Sequence, residues 1–194
     1  GFTIVPVGGL LLPRYFLNLL AFKVFPSTQF IRPLLKCEHN GEPDVLHEII
    51  GHTSMLCDKN FADFSQQIGI ASLGASNEDL EKLAKIYWFT IEYGLVKELS
   101  DGISKLKIYG GAIVPSIFEI DYALSMQASY HSLDFNKMQT AKFDYVNLST
   151  NYFITESIES MKLKFNDYSK SIRNKKDWIS FDLKKNEVVI QNNI

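Results

Sequence analysis

Cysteine is scarce, with Cys37 and Cys57 the two in 194 residues. Their spacing forms neither a disulfide framework nor a CxxC pair for zinc or redox exchange, so a reducing, cytoplasmic setting is expected. Neither sign of charge dominates. The 20 basic and 22 acidic residues nearly cancel and alternate without forming a block, so nucleic acid and anionic membrane surfaces are not expected partners. Long apolar runs are absent too. The most apolar stretch, Gly8 to Phe22, is broken by Pro13, Arg14 and Asn18 and falls short of the roughly 20 residues that a spanning helix needs. There is no internal repeat, low-complexity tract or Gly/Ser linker, and no βαβ alternation or Gly-rich phosphate loop. A Rossmann or P-loop nucleotide enzyme is therefore not expected.

What is present is apolar and aromatic, at 46% and 13% of residues, enough for residues 1–194 to bury a core as a single domain. Ser76 and Asp79 make a Ser-x-x-Asp start signal. Leu80, Leu83, Ala84, Tyr87, Trp88, Ile91 and Leu95 then recur at spacings of three and four, which predicts an amphipathic helix weakened at its far end by Gly94. A second helix is expected to start near Pro43 and to carry Val45, Leu46, Ile49, Ile50 and Leu56, after a His39-Asn40-Gly41 loop. A third spans Thr155 to Ile172, with Ile158, Met161, Phe165, Tyr168 and Ile172 on one stripe. Trp178 to Phe181 and Val188 to Ile190 flank a polar Lys184-Lys185-Asn186 turn as a closing hairpin. The polar segment Ser100 to Lys107 reads as loop. The fold class expected is helix-rich α+β.

Glu92 lies four after Trp88 and three before Leu95, on the stripe that its helix otherwise buries. An unpaired buried charge is so costly that the group must be neutralised, hydrogen-bonded, ion-paired or bound to a metal. From position alone, pairing with an arginine or a hydroxyl is the simpler account. His52, seven after Val45, also falls on an apolar face, and His47 lies five before it. Five residues of ideal helix turn through about 140°, so the two rings meet one ion only if the helix is distorted at Gly51 or has another geometry. Two imidazoles and a carboxylate are nonetheless the donor set of the facial triad that holds non-haem Fe(II) and leaves positions open for oxygen chemistry.

Two long motifs carry a resemblance. Pro43-Asp44-Val45-Leu46-His47-Glu48-Ile49-Ile50-Gly51-His52 and Tyr87-Trp88-Phe89-Thr90-Ile91-Glu92-Tyr93-Gly94-Leu95 resemble the biopterin-dependent aromatic amino acid hydroxylases. The likeness extends to Pro6–Leu11, Ala21–Phe25, Thr28–Arg32, Phe61–Gln66 and Ala71–Ala75, and it weakens after about Tyr130. It implies a mostly helical catalytic-domain fold with small β-hairpins, and one Fe(II) held by His47, His52 and Glu92. It further implies hydroxylation of an aromatic amino acid with O2 and tetrahydrobiopterin or a related tetrahydropterin. By the same resemblance, Gly9, Leu10, Leu11, Phe16 and Glu48 form the pterin pocket, with Ala84 and Tyr87 closing it and Phe16 stacking on the pterin. Arg32 clamps the substrate carboxylate, a task suited to a guanidinium, although an ordinary ion pair also explains it. Pro43, Trp88 and Tyr93 shape the slot for the ring. Phenylalanine is the first substrate expected because Trp88 matches the phenylalanine and tyrosine enzymes, where the tryptophan enzymes usually place Phe.

Some positions depart from the family. Asn40-Gly41 stands where a Thr-Pro pair is common, the loop before Tyr109 is longer, and Pro115 replaces one of two serines, removing a hydroxyl and a backbone donor. Ser116 or Asn40 is expected to compensate in the substrate site. The resemblance further implies that the chain is the C-terminal larger part of a catalytic domain, without a tetramerisation helix, and thus a monomer or dimer of the compact bacterial type. A pterin- or amino-acid-binding domain without turnover, and a purely structural helical domain, are the competing readings.

Overall fold

The computed structural model describes residues 1–33, 42–100, 102–143, 149–172, 179–182, 184–185 and 187–190. Helix α1 (Pro13–Ala21) begins at a proline whose fixed φ suits the first turn. Helix α2 (Lys59–Ser72) is capped by Asp58, which accepts from the Phe61 N–H at 2.9 Å. The two pack so closely at Gly69 that a Cβ there would fall on the Ala21 backbone nitrogen. Helix α3 (Asn77–Tyr87) starts at Ser76 as its motif predicts, the hydroxyl accepting from Asp79 N. Helix α6 (Ile158–Ile172) packs Phe165 edge-on against Phe64 of α2 and against Phe135 of α5 (Phe135–Thr140), both at 5.5 Å between ring centroids. Leu17, Phe61, Leu83 and Phe165 bury fully in this one cluster, so the helices are held by a shared aromatic core.

Strands β1 (Thr3–Val7) and β2 (Val24–Thr28) pair in parallel on either side of α1. Together they form one βαβ unit, which corrects the expectation that none exists. Its strands are only five residues long and β1 is largely exposed, so neither leaves the apolar run by which parallel strands are recognised. A four-stranded mixed sheet follows, in the order β4-β3-β6-β5. Strand β3 (Leu95–Ser100) pairs antiparallel with β4 (Ile103–Ile108) and parallel with β6 (Asn151–Thr155), and β5 (Ser129–Ser132) pairs parallel with β6. The β3–β4 hairpin corrects the loop expected over Ser100 to Lys107. Most of β4 is exposed, so its polar residues carry no one-sided alternation, and Gly102 makes the turn with φ of 76°.

Helix α4 (Ile117–Ala123) connects this sheet's edge to β5, and β7 (Ile179–Asp182) with β8 (Glu187–Ile190) forms the expected closing hairpin. Trp178, His39, Asn40 and Gly41 lie outside the described residues. Two helix expectations shift at their starts. The third helix begins at Ile158, Thr155 ending β6 instead, and helical backbone after Pro43 begins at Val45. Among the described residues no helix is long and apolar enough to cross a membrane.

Candidate active site

The two segments that carry the expected metal ligands are π-helical: His47–Thr53 and Trp88–Glu92. Ser54 N donates to Ile49 O and Tyr93 N to Trp88 O, each five residues back. A ring that closes every five residues brings His47 and His52 onto one face, which an α-helix would not do. The distortion expected at Gly51 therefore runs through the whole turn. It also ends the predicted α3 stripe at Tyr87, leaving Leu95 to start β3.

The result is a convergence of three donors. His47 Nε2 and His52 Nε2 lie 2.8 Å apart, and Glu92 Oε2 stands 3.5 Å and 3.2 Å from them. Burial lowers the His47 imidazole to about 4, although the Glu92 charge opposes this. Burial also disfavours His52 charging, but the charges of Glu92 and Glu48 more than offset it, so that ring is raised. The Glu92 carboxyl, which burial alone would raise, is lowered by the two imidazoles. Two ring nitrogens 2.8 Å apart can share only one proton, while Glu92 Oε2 is buried with no hydrogen-bond partner among the described residues. One divalent ion among the three would satisfy all of them at once, and the N, N, O donor set suits non-haem Fe(II). They are a metal-capable cluster with ligand atoms within 4.8 Å of one another.

Neighbouring residues hold the turns in place. Asp44 is fully buried and accepts from Arg32 N, Nε and Nη2 at 2.9, 2.8 and 2.6 Å, and from His47 N at 3.0 Å. It thus fixes Arg32 and caps the His47 turn together. Glu48 Oε1 accepts from Thr28 N and Oγ1, both at 3.1 Å, and burial raises its carboxyl above the ordinary range. Tyr87 Oη is buried without a hydrogen-bond partner among the described residues, and its hydroxyl is raised by burial and by the nearby Glu92 and Glu48 charges. Phe16 meets Tyr87 edge-on at 5.0 Å.

A cavity of about 520 Å³ opens onto His47 and Glu92, a size that suits a small organic ligand. Of the residues expected to line a site, Leu10, Leu11, Phe16, Glu48, Ala84 and Tyr87 do so, as do Arg32, Pro43, Trp88, Tyr93 and Ser116. Gly9 stands half-buried just outside the lining, Asn40 lies outside the described residues, and His52 is behind the cavity, against Phe25. Sequence reasoning missed Leu12, Pro13, Leu17, Glu42, Ala112 and Glu119. Glu119 had a readable sign: it stands three after Ser116, whose hydroxyl caps α4 by accepting from Glu119 N.

The model of one family, the biopterin-dependent aromatic amino acid hydroxylases, matches residues 1–193. The chain belongs to this family. Among curated relatives of this chain, tyrosine 3-monooxygenase from Schistosoma mansoni is 44% identical over 168 residues, covering 87% of this chain and 35% of that protein. Phenylalanine-4-hydroxylase from Rattus norvegicus is 42% identical over 172 residues, covering 89% and 37%. The chain thus spans about a third of the length of these relatives. A phenylalanine hydroxylase structure from Chromobacterium violaceum, with iron(III) and 7,8-dihydrobiopterin bound, superposes with a TM-score of 0.79 at 27% identity, covering 88% of this chain and 61% of that one. The Legionella pneumophila phenylalanine hydroxylase gives 0.77 at 30% identity, with 89% and 76% covered. The helix-rich architecture is that of the family's catalytic fold.

Proposed function

We propose that this hydroxylase binds Fe(II) through His47, His52 and Glu92 and uses a tetrahydropterin and O2 to hydroxylate an aromatic amino acid, phenylalanine to tyrosine first. The observation that carries the reading is the three-donor cluster at the wall of an apolar cavity, brought together by two π-helical turns. Iron(II) and the reduced pterin, when bound, supply the oxygen activation. The protein's own groups bind, orient and shield.

Arg32, its plane fixed by Asp44, offers a guanidinium to the substrate carboxylate. Trp88 and Tyr93, with ring centroids 4.8 Å apart, form a wall with Pro43 for the substrate ring. Phe16 and Tyr87 present an aromatic surface for the pterin, beside Glu48, whose raised carboxyl hydrogen-bonds polar edges in either protonation state. Burial of His47 keeps its ring neutral, the form that ligates metal. Apolar Leu10, Leu11 and Ala84 exclude water from the reacting groups. A cytoplasmic monomer or dimer is the setting we assign.

Tryptophan and tyrosine are the next substrates. A binding domain without turnover is the second reading, and it rests on Pro115, which has neither hydroxyl nor backbone N–H where the family often has serine. The test is hydroxylation by protein loaded anaerobically with Fe(II), then given O2, tetrahydrobiopterin and phenylalanine, tyrosine or tryptophan in turn. Product that vanishes in Glu92→Ala is expected. Bound iron without product from any of the three would favour the binding domain.

A further inference from the structure

The wall that Pro43, Trp88 and Tyr93 give the cavity carries one hydroxyl, that of Tyr93. Tyr93 is 3% exposed, its ring 4.8 Å from that of Trp88 and 6.4 Å from that of Tyr152 between centroids. Two other buried phenols are engaged: Tyr152 Oη donates to Ser149 O at 2.8 Å and Tyr109 Oη to Met161 Sδ at 3.4 Å. The Tyr93 hydroxyl has no hydrogen-bond partner among the described residues. Burial raises it, as do the charges of Glu119 and Glu92, two carboxylates that line the same cavity. It is therefore a protonated phenol, able to donate one hydrogen bond and to accept another. A phenyl ring seated in the slot leaves that hydroxyl unsatisfied, whereas a ring bearing a hydroxyl of its own supplies the partner. Sites with a buried polar group to satisfy discriminate between ligands in that sense.

We propose that Tyr93 is a specificity-determining residue whose hydroxyl hydrogen-bonds the ring hydroxyl of bound tyrosine, so that the slot holds tyrosine at least as tightly as phenylalanine. Tyrosine, the product of phenylalanine hydroxylation, then competes with phenylalanine for the slot. Trp88 and Pro43 contribute apolar contact that both rings share, and Tyr93 adds the one contact that tells them apart.

The inference rests on the aromatic amino acid reading of the slot, and the test separates the two. Fe(II)-loaded protein, kept anaerobic and without pterin so that nothing turns over, is titrated calorimetrically with phenylalanine, tyrosine and 4-methylphenylalanine. Tyr93→Phe is titrated alike, with circular dichroism as the check on folding. In wild type, tyrosine is expected to bind at least as tightly as phenylalanine. It is also expected to bind about three- to ten-fold more tightly than 4-methylphenylalanine, whose methyl fills the volume of the hydroxyl without its hydrogen bond. Tyr93→Phe is expected to lose that margin while binding phenylalanine no worse than wild type. Tyrosine that binds wild type no better than 4-methylphenylalanine, or worse than phenylalanine, overturns the proposal, and this comparison stands even if Tyr93→Phe does not fold. A margin that survives in a folded Tyr93→Phe overturns it too. A wild type that binds none of the three overturns the reading of the slot itself, and the proposal with it.

Discussion

Asp44 shows how much one buried side chain can organise. It has no exposed side-chain surface, and its partner Arg32 has little, so Arg32→Ala leaves a carboxylate buried and unpaired at a cost of about 3–5 kcal/mol, to be read by urea denaturation. The pH dependence follows from the same pair. Burial alone would raise the Asp44 carboxyl, but the hydrogen bonds from Arg32 and from His47 N more than reverse this, and it sits well below its ordinary value. A carboxyl depressed in the folded state contributes its stability in full above the unfolded value of about 4 and loses it as pH falls toward the folded value. Asp44→Asn is therefore expected to be less stable at neutral pH, with a shallower decline below pH of about 4. At this scale the sequence was legible where long motifs surround a buried polar group, as for His47, His52 and Glu92. It was illegible for Ala112, which reaches the cavity only through the tertiary placement of the segment after β4.

Helices α3 and α6 could be read because each has one buried face, and the β7–β8 hairpin because apolar runs flank a polar turn. The β3–β4 hairpin could not, since β4 is mostly exposed and β3 is buried only at its start, so neither leaves a sustained period-two pattern. The π-helical turns lie between these cases. A five-residue histidine spacing signals that an α-helix will not serve, but only backbone hydrogen bonding reveals that the register itself changes. Such turns are frequent at functional sites, and here they place all three donors. The cap of α3 is separable from them: Ser76→Ala is expected to cost about 1 kcal/mol in thermal or urea unfolding while leaving metal affinity unchanged. A loss of metal binding in that variant would show that the helix start and the Glu92 turn are coupled.

On the scale of the molecule, the helical core and the mixed sheet bring the Asp44–His52 stretch, the Glu92 turn and the segment after β4 to one cavity. The resemblance located the site's residues, whereas the route by which they meet, through two π-helical turns, is a property of the packed chain. The central claim is that His47, His52 and Glu92 hold Fe(II), and a ligand that binds only the folded state must stabilise it. The most direct measurement is the melting temperature of the protein and of Glu92→Ala, under anaerobic conditions, across an Fe(II) titration. Wild type is expected to rise with Fe(II), by about 2.7 kcal/mol of added stability at a hundred times Kd, while Glu92→Ala stays flat. No shift in wild type, or an equal shift in both, would contradict the claim.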